Sequence, residues 1–140
     1  MKGRVGITLL ISLVLAGAWG YRSIFPPVGP LTADTLALAE HFRDSGIPVR
    51  PYAVRNGFSH SIVIAAAALE IEGFPLPVSV DVCPNAVVAA NHLLAIEESP
   101  NLTHPMRNGR IIIYLPMWGD DTGVMAKRVE QAFASFSHPG

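Results

Sequence analysis

Taken as a string of apolar and polar positions, the chain opens with an unbroken apolar run, passes through a proline-rich break, and then alternates between helical and strand-like patterns. Val5 to Tyr21 carries no charge and is rich in Ile, Leu and Val, with Lys2 and Arg4 ahead of it. Positive charge before such a run stays on the cytoplasmic side, so the arrangement matches an export segment. About 20 apolar residues normally span a bilayer, with a lower limit of about 17, so the run is short for a span. Ala16-Gly17-Ala18 fits the small-x-small pattern of a signal-peptidase site, which would free a chain beginning at Trp19. Trp19, Tyr21 and Arg22 instead form the aromatic and basic flank of an interfacial anchor. Residues 1–22 are therefore expected to form a hydrophobic helix, either signal peptide or membrane anchor, with the anchor preferred. The domain is expected outside the cytoplasm, on a single-pass tether or periplasmic or secreted after cleavage near Ala18.

Three prolines in Phe25-Pro26-Pro27-Val28-Gly29-Pro30 exclude helix, so 23–31 reads as a stiff linker. A single domain over 32–137 follows. Thr32 is a candidate N-cap, with Leu31 and Leu36 at the positions of a hydrophobic staple, and Gly46-Pro48 ends a helix over 33–45. Val49 to Val54, interrupted by Pro51, suits an edge strand. Ser61 to Ala68 is ambiguous: Ile62-Val63-Ile64 favours strand and four alanines favour helix. Leu69 and Ile71 alternate with Glu70 and Glu72, and Val78, Val80 and Val82 alternate with Ser79 and Asp81. This predicts a hairpin with one buried face. A second helix is predicted from Pro84 to Glu98, with Val87, Ala90 and Leu94, joined by Asn91, along one face. Asn101 to Gly109 reads as a loop, Arg110 to Leu115 as a strand, and Met125, Val129, Ala132, Phe133 and Phe136 as the stripe of a last helix capped by Asp120 or Asp121. The fold class is α+β: a small, largely antiparallel sheet of about four strands with helices on one face, preceded by the hydrophobic helix.

The stretch from Leu36 to Phe136 resembles uncharacterised small exported bacterial envelope proteins. The likeness rests on the hairpin Ala68-Leu69-Glu70-Ile71-Glu72-Gly73 followed by Val78-Ser79-Val80, and on the strand introduced by Asn108-Gly109-Arg110. It implies a helix, hairpin, helix, strand, helix order and no established activity. Such proteins are commonly lipid-anchored, whereas this chain has no lipobox cysteine.

Composition narrows the chemistry. The 140 residues are 50% hydrophobic and 15% charged, with a net charge of −1, which excludes the basic excess of a nucleic-acid binder. One cysteine excludes an intramolecular disulfide framework and a Cys-rich zinc site. Cys83 is the candidate reactive thiol if the second helix's dipole lowers its pKa; otherwise it is a small, half-buried hydrophobe at a strand end. His92 lies about 12 Å along that helix from its start, out of direct reach of Cys83. The histidines show neither i, i+4 ligand pairs nor His-Glu-x-x-His, so no metal or cofactor is expected. Gly57-Phe58-Ser59-His60-Ser61 lacks the closing glycine of a nucleophile elbow. Asn101-Leu102-Thr103 matches a glycosylation sequon, meaningful only in a eukaryotic secretory pathway.

The candidate binding edge comprises His104, Arg107 and Arg110 beside the apolar strand, with Met117 and Trp118 after it; Trp118 serves equally as a plug of the core. The functional expectation is a non-catalytic exported envelope module that binds an envelope protein or cell-surface component, touches the membrane through its N-terminus, and binds no nucleic acid. The alternatives are a thiol enzyme or redox protein using Cys83, and a carrier with a small-ligand pocket between sheet and helices.

Overall fold

The computed structural model describes residues 22, 26–98, 103–116 and 123–138. Among them the order is α1 (Ala33–Asp44), β1 (Val49–Val54), β2 (Ala65–Ile71), β3 (Val78–Val82), α2 (Ala86–Glu97), β4 (Thr103–Asn108), β5 (Ile111–Pro116) and α3 (Gly123–Ala134). The strands form one sheet in the order β1-β2-β3-β5-β4, with every neighbouring pair antiparallel. The α+β class stands, with a fifth strand that the sequence pattern conceals.

That strand is β4, expected to be a loop. Its Thr-His-Pro-Met-Arg-Asn composition carries turn residues, yet β4 lies at a sheet edge, where a proline without an N–H is tolerated. Gly109, at φ +58°, takes the first position of a two-residue connection to β5, the residue pattern of a II′ hairpin. The other edge is β1, as Pro51 predicts, and the Val28 N–H donates to the Ala53 carbonyl at 2.8 Å along it.

The first sheet face carries the main core. Leu69 and Ile71 of β2, Val78, Val80 and Val82 of β3, and Ile111, Ile113 and Leu115 of β5 meet Leu38 and Phe42 of α1 and Val129, Ala132 and Phe133 of α3. Full burial of each such large side chain stabilises by roughly 1.5–3 kcal/mol. A one-residue slip of β2 would turn this set to the other face, which is how the alternating pattern selects the register. The four alanines end as strand, because Ala66 to Ala68 lie between β1 and β3 and pair on both sides, and Ala65 pairs with Val82 of β3. Helix α1 starts and stops as expected: the Thr32 hydroxyl accepts from the Thr35 N–H, and Gly46, at φ +80°, turns the chain out.

The expectation of helices on one face fails at α2. This helix packs on the opposite face, over β4 and β5, where Ala89 and the partly buried Val88, Leu93 and Ile96 meet Val63, Cys83 and Ile112. Its expected apolar stripe is the outward one, with Val87 71% and Leu94 60% exposed. The helix is apolar nearly all round, so pattern alone does not orient it. Its cap is Asn85, whose side chain accepts from the Val88 N–H, so Pro84 precedes the helix and does not open it.

The expected N-terminal hydrophobic helix lies, apart from Arg22, outside the described residues. Among these, no helix is long and apolar enough to cross a membrane.

Candidate functional site

Because α2 covers only part of the second sheet face, a cavity of about 760 Å³ opens between that face, the C-terminal half of α2 and the loop after β1. Its floor is made of small side chains, Ala66 of β2 and Ser79 of β3, and Ala95 of α2 adds a small wall. The absent side-chain volume is the space.

Three polar side chains converge there from three elements. Asp81 comes from β3, Tyr114 from β5 and His92 from the buried side of α2. The Tyr114 hydroxyl donates to Asp81 Oδ2 at 2.5 Å. His92 Nε2 lies 3.4 Å from the same oxygen and 3.5 Å from the Tyr114 hydroxyl oxygen. Asp81 is 6% and His92 8% exposed, so both are held away from bulk water. With the phenol donating to the carboxylate, the arrangement fits a proton on His92 Nε2 directed at Asp81.

Phe58 closes one side. Its ring stands edge-on to His92 with centroids 4.7 Å apart. The loop that carries it is organised by Asn56, which accepts from the Phe58 N–H at 3.0 Å and donates to the Val63 carbonyl at 2.5 Å. Val63 is fully buried, so the loop is fastened at its far end. The Asn56-Gly57 turn signal was legible in the sequence; the role of Phe58 as a wall was not.

Burial sets the electrostatics. Desolvation pushes the Asp81 carboxyl above the usual carboxylate range, although the hydrogen bonds from Tyr114 and His92 and the charge of His92 pull the other way. The Tyr114 phenol is pushed up by burial first and by the Asp81 carboxylate next, so it stays a neutral donor. The Cys83 thiol is pushed up to about 11, by burial and then by Asp81. Cys83 is fully buried, its N–H donates to the Arg110 carbonyl, and it precedes the Asn85 cap. It therefore lacks the depressed pKa that a nucleophilic thiol needs.

The sequence-derived binding edge is not brought together. His104 pairs with Leu115 and Arg107 with Ile112, positions on opposite faces of the sheet. Arg107 donates to the nearby Gly109 carbonyl at 3.0 Å, and Arg110 forms an ion pair with the buried Asp34 at the start of α1. Met117 and Trp118 lie outside the described residues, as do Asn101, Asp120 and Asp121. His41 bonds the Ala132 carbonyl on α3 at 2.7 Å and His138 bonds the Asn108 carbonyl at 2.9 Å, so both join elements. Among the described residues no group of three or more His, Cys, Asp or Glu side chains is placed to hold a metal ion.

Sequence reasoning placed Asp81 on the polar side of a hairpin strand and His92 out of direct reach of Cys83. The signal that points to them is partial: Asp81 follows the regular alternation of β3 and gives no break in pattern, whereas His92 is a polar residue on the buried side of an apolar helix. Tyr114 joins them only through the pairing of β3 with β5. Chemically, a neutral phenol and a hydrogen-bonded carboxyl at the bottom of an apolar cavity orient a bound polar group. Comparison with models of protein families, with curated proteins and with solved structures finds no match.

Proposed function

We propose that this chain is an exported, non-catalytic binding module of the cell envelope that takes a small ligand in the cavity between α2 and the sheet. Residues 1–22 carry it across the cytoplasmic membrane and either tether it there or are removed near Ala18. The observation that carries the reading is the convergence of Asp81, His92 and Tyr114 in a largely apolar cavity whose volume falls in the range of small-molecule sites. An envelope protein or cell-surface component is the source or acceptor of that ligand.

The buried thiol supports a binding role over thiol chemistry. With its pKa pushed up to about 11, Cys83 is almost wholly protonated at neutral pH, and it does not line the cavity. The test is a thermal-unfolding screen of the full chain against small molecules, beside the variant Ala95→Phe, which fills the cavity wall from an exposed helix position. A ligand at 100 times its Kd stabilises by about 2.7 kcal/mol, a shift easily read in Tm. Hits that stabilise the wild type and not Ala95→Phe support the cavity as the site. Hits that stabilise both equally, or a screen without hits, overturn it.

A further inference from the structure

We propose that the cavity selects a lipophilic amine, a small organic cation whose ammonium group meets Asp81 and whose apolar body lies between Phe58 and Ile62 on the loop and Ala95 and Ile96 on α2. This rests on the cavity being the ligand site and adds the chemistry of the ligand.

The sign of charge carries the argument. Asp81 is the acidic group lining the cavity among the described residues, and it is more than nine-tenths buried. Its two side-chain partners, Tyr114 and His92, moderate its desolvation without overcoming it, as the raised carboxyl pKa records. A ligand carboxylate or phosphate here would set like charges side by side away from water, where repulsion is poorly screened. A neutral ligand would expel water and leave the carboxylate worse off. An ammonium group turns the same burial into a charge-assisted hydrogen bond, about twice as strong as a neutral one. The rings of Phe58 and Tyr114 border the same space, and aromatic faces attract cations. His92 Nε2 already lies 3.4 Å from Asp81 Oδ2, so an ammonium must share the carboxylate with it. The opposing feature beyond that pair is Arg55, which lines the cavity from the exposed loop and would favour an anion. Burial decides between them: the solvated guanidinium is screened and the buried carboxylate is not.

The test is calorimetric titration of the full chain at neutral pH with n-octylamine, n-octanol and n-octanoate, which share one apolar body and differ in head group. Octylamine is expected to bind at least tenfold more tightly than the other two, and to lose at least tenfold in Asp81→Asn. Octanoate binding as tightly as octylamine would overturn the proposal, assign the head group to Arg55, and leave the cavity standing as a ligand site. Undiminished octylamine binding to a folded Asp81→Asn would overturn it equally. The three-probe comparison on the wild-type chain stands whether or not the variant folds. If none of the three binds, both the amine proposal and the ligand-site reading fail. A second arm uses phosphatidylethanolamine and phosphatidylglycerol vesicles. Selective binding to the ethanolamine vesicles, displaced by octylamine, supports an ammonium carried by a lipid headgroup; octylamine binding without vesicle binding supports a free amine.

Discussion

Tyr114 and Asp81 point to the same side of the sheet from the antiparallel neighbours β5 and β3, and the phenol donates a 2.5 Å hydrogen bond to the carboxylate. The two residues are diagonal partners, since Tyr114 pairs with Ser79 and Asp81 with Ile112. This diagonal contact is what lets a carboxyl group occupy a face that α2 shields from water. It also makes the two ends of one bond unequal, because the carboxyl bears the desolvation and the phenol relieves it.

Substitutions at the two ends are expected to have opposite signs. A group whose folded pKa is raised contributes stability that is present below its unfolded value and lost as pH rises through its folded value. For Asp81 the loss runs from about pH 4 upward through its raised folded pKa. Asp81→Asn is therefore expected to stabilise the fold at pH 7 by about 0.5–2 kcal/mol, the usual gain when a functional strain is removed. The gain should shrink as pH falls below the unfolded pKa and vanish near about pH 2, where both states of the wild type hold a neutral carboxyl. Tyr114→Phe removes the donor and is expected to cost about 1.5–3 kcal/mol at pH 7. Urea unfolding of both variants at the two pH values checks the pair.

Cys83 is expected to resist alkylation in the folded protein at pH 8 and to react promptly in urea. Its folded pKa is raised to about 11, so its contribution to stability is present below pH 9 and is lost as pH rises through about 11. Iodoacetamide labelling followed by intact mass measures this. Labelling of the native chain at the rate of a free thiol would revive the thiol-enzyme reading.

Arg110 is expected to matter for stability and not for binding. Its ion pair with Asp34, whose side chain is 8% exposed, fastens the β4–β5 turn to the start of α1. Arg110→Ala leaves a buried carboxylate without that partner, at a cost of about 1–2 kcal/mol. Ligand affinity, measured on the folded fraction, should stay within twofold of the wild type.

The outward face of α2 supplies a check on the orientation of that helix. Val87→Lys and Leu94→Lys place charges at positions 71% and 60% exposed, and each is expected to change stability by no more than about 0.5 kcal/mol. Ala89→Lys, at a fully buried position, should unfold the domain. Circular dichroism during thermal unfolding separates these outcomes.

Much of this fold was legible where local chemistry and tertiary packing agree. Thr32 and Gly46 bound α1, Pro51 marks an edge strand, and the alternation through Leu69, Ile71, Val78, Val80 and Val82 gives the central hairpin its buried face. Legibility failed where a residue's meaning depends on a distant partner. Pro105 and Asn108 look like loop residues until β5 pairs with them. Val87 and Leu94 look like a core stripe because α2 is apolar on both sides, and only its place over β4 and β5 selects Ala89 and His92 as the inner face. The site was hidden for the same reason. Asp81, His92 and Tyr114 are well separated in sequence and are joined by a strand pairing and a helix crossover, and no spacing rule reports either.

The most direct measurement is a backbone and side-chain NMR titration of the isotope-labelled full chain with octylamine and octanol. Saturable shifts are expected at Phe58, His92, Ala95 and Tyr114, larger for the amine, with the surface around Arg110 unmoved. Saturable shifts centred elsewhere, or none at these four residues at millimolar probe, would contradict a ligand site between α2 and the sheet.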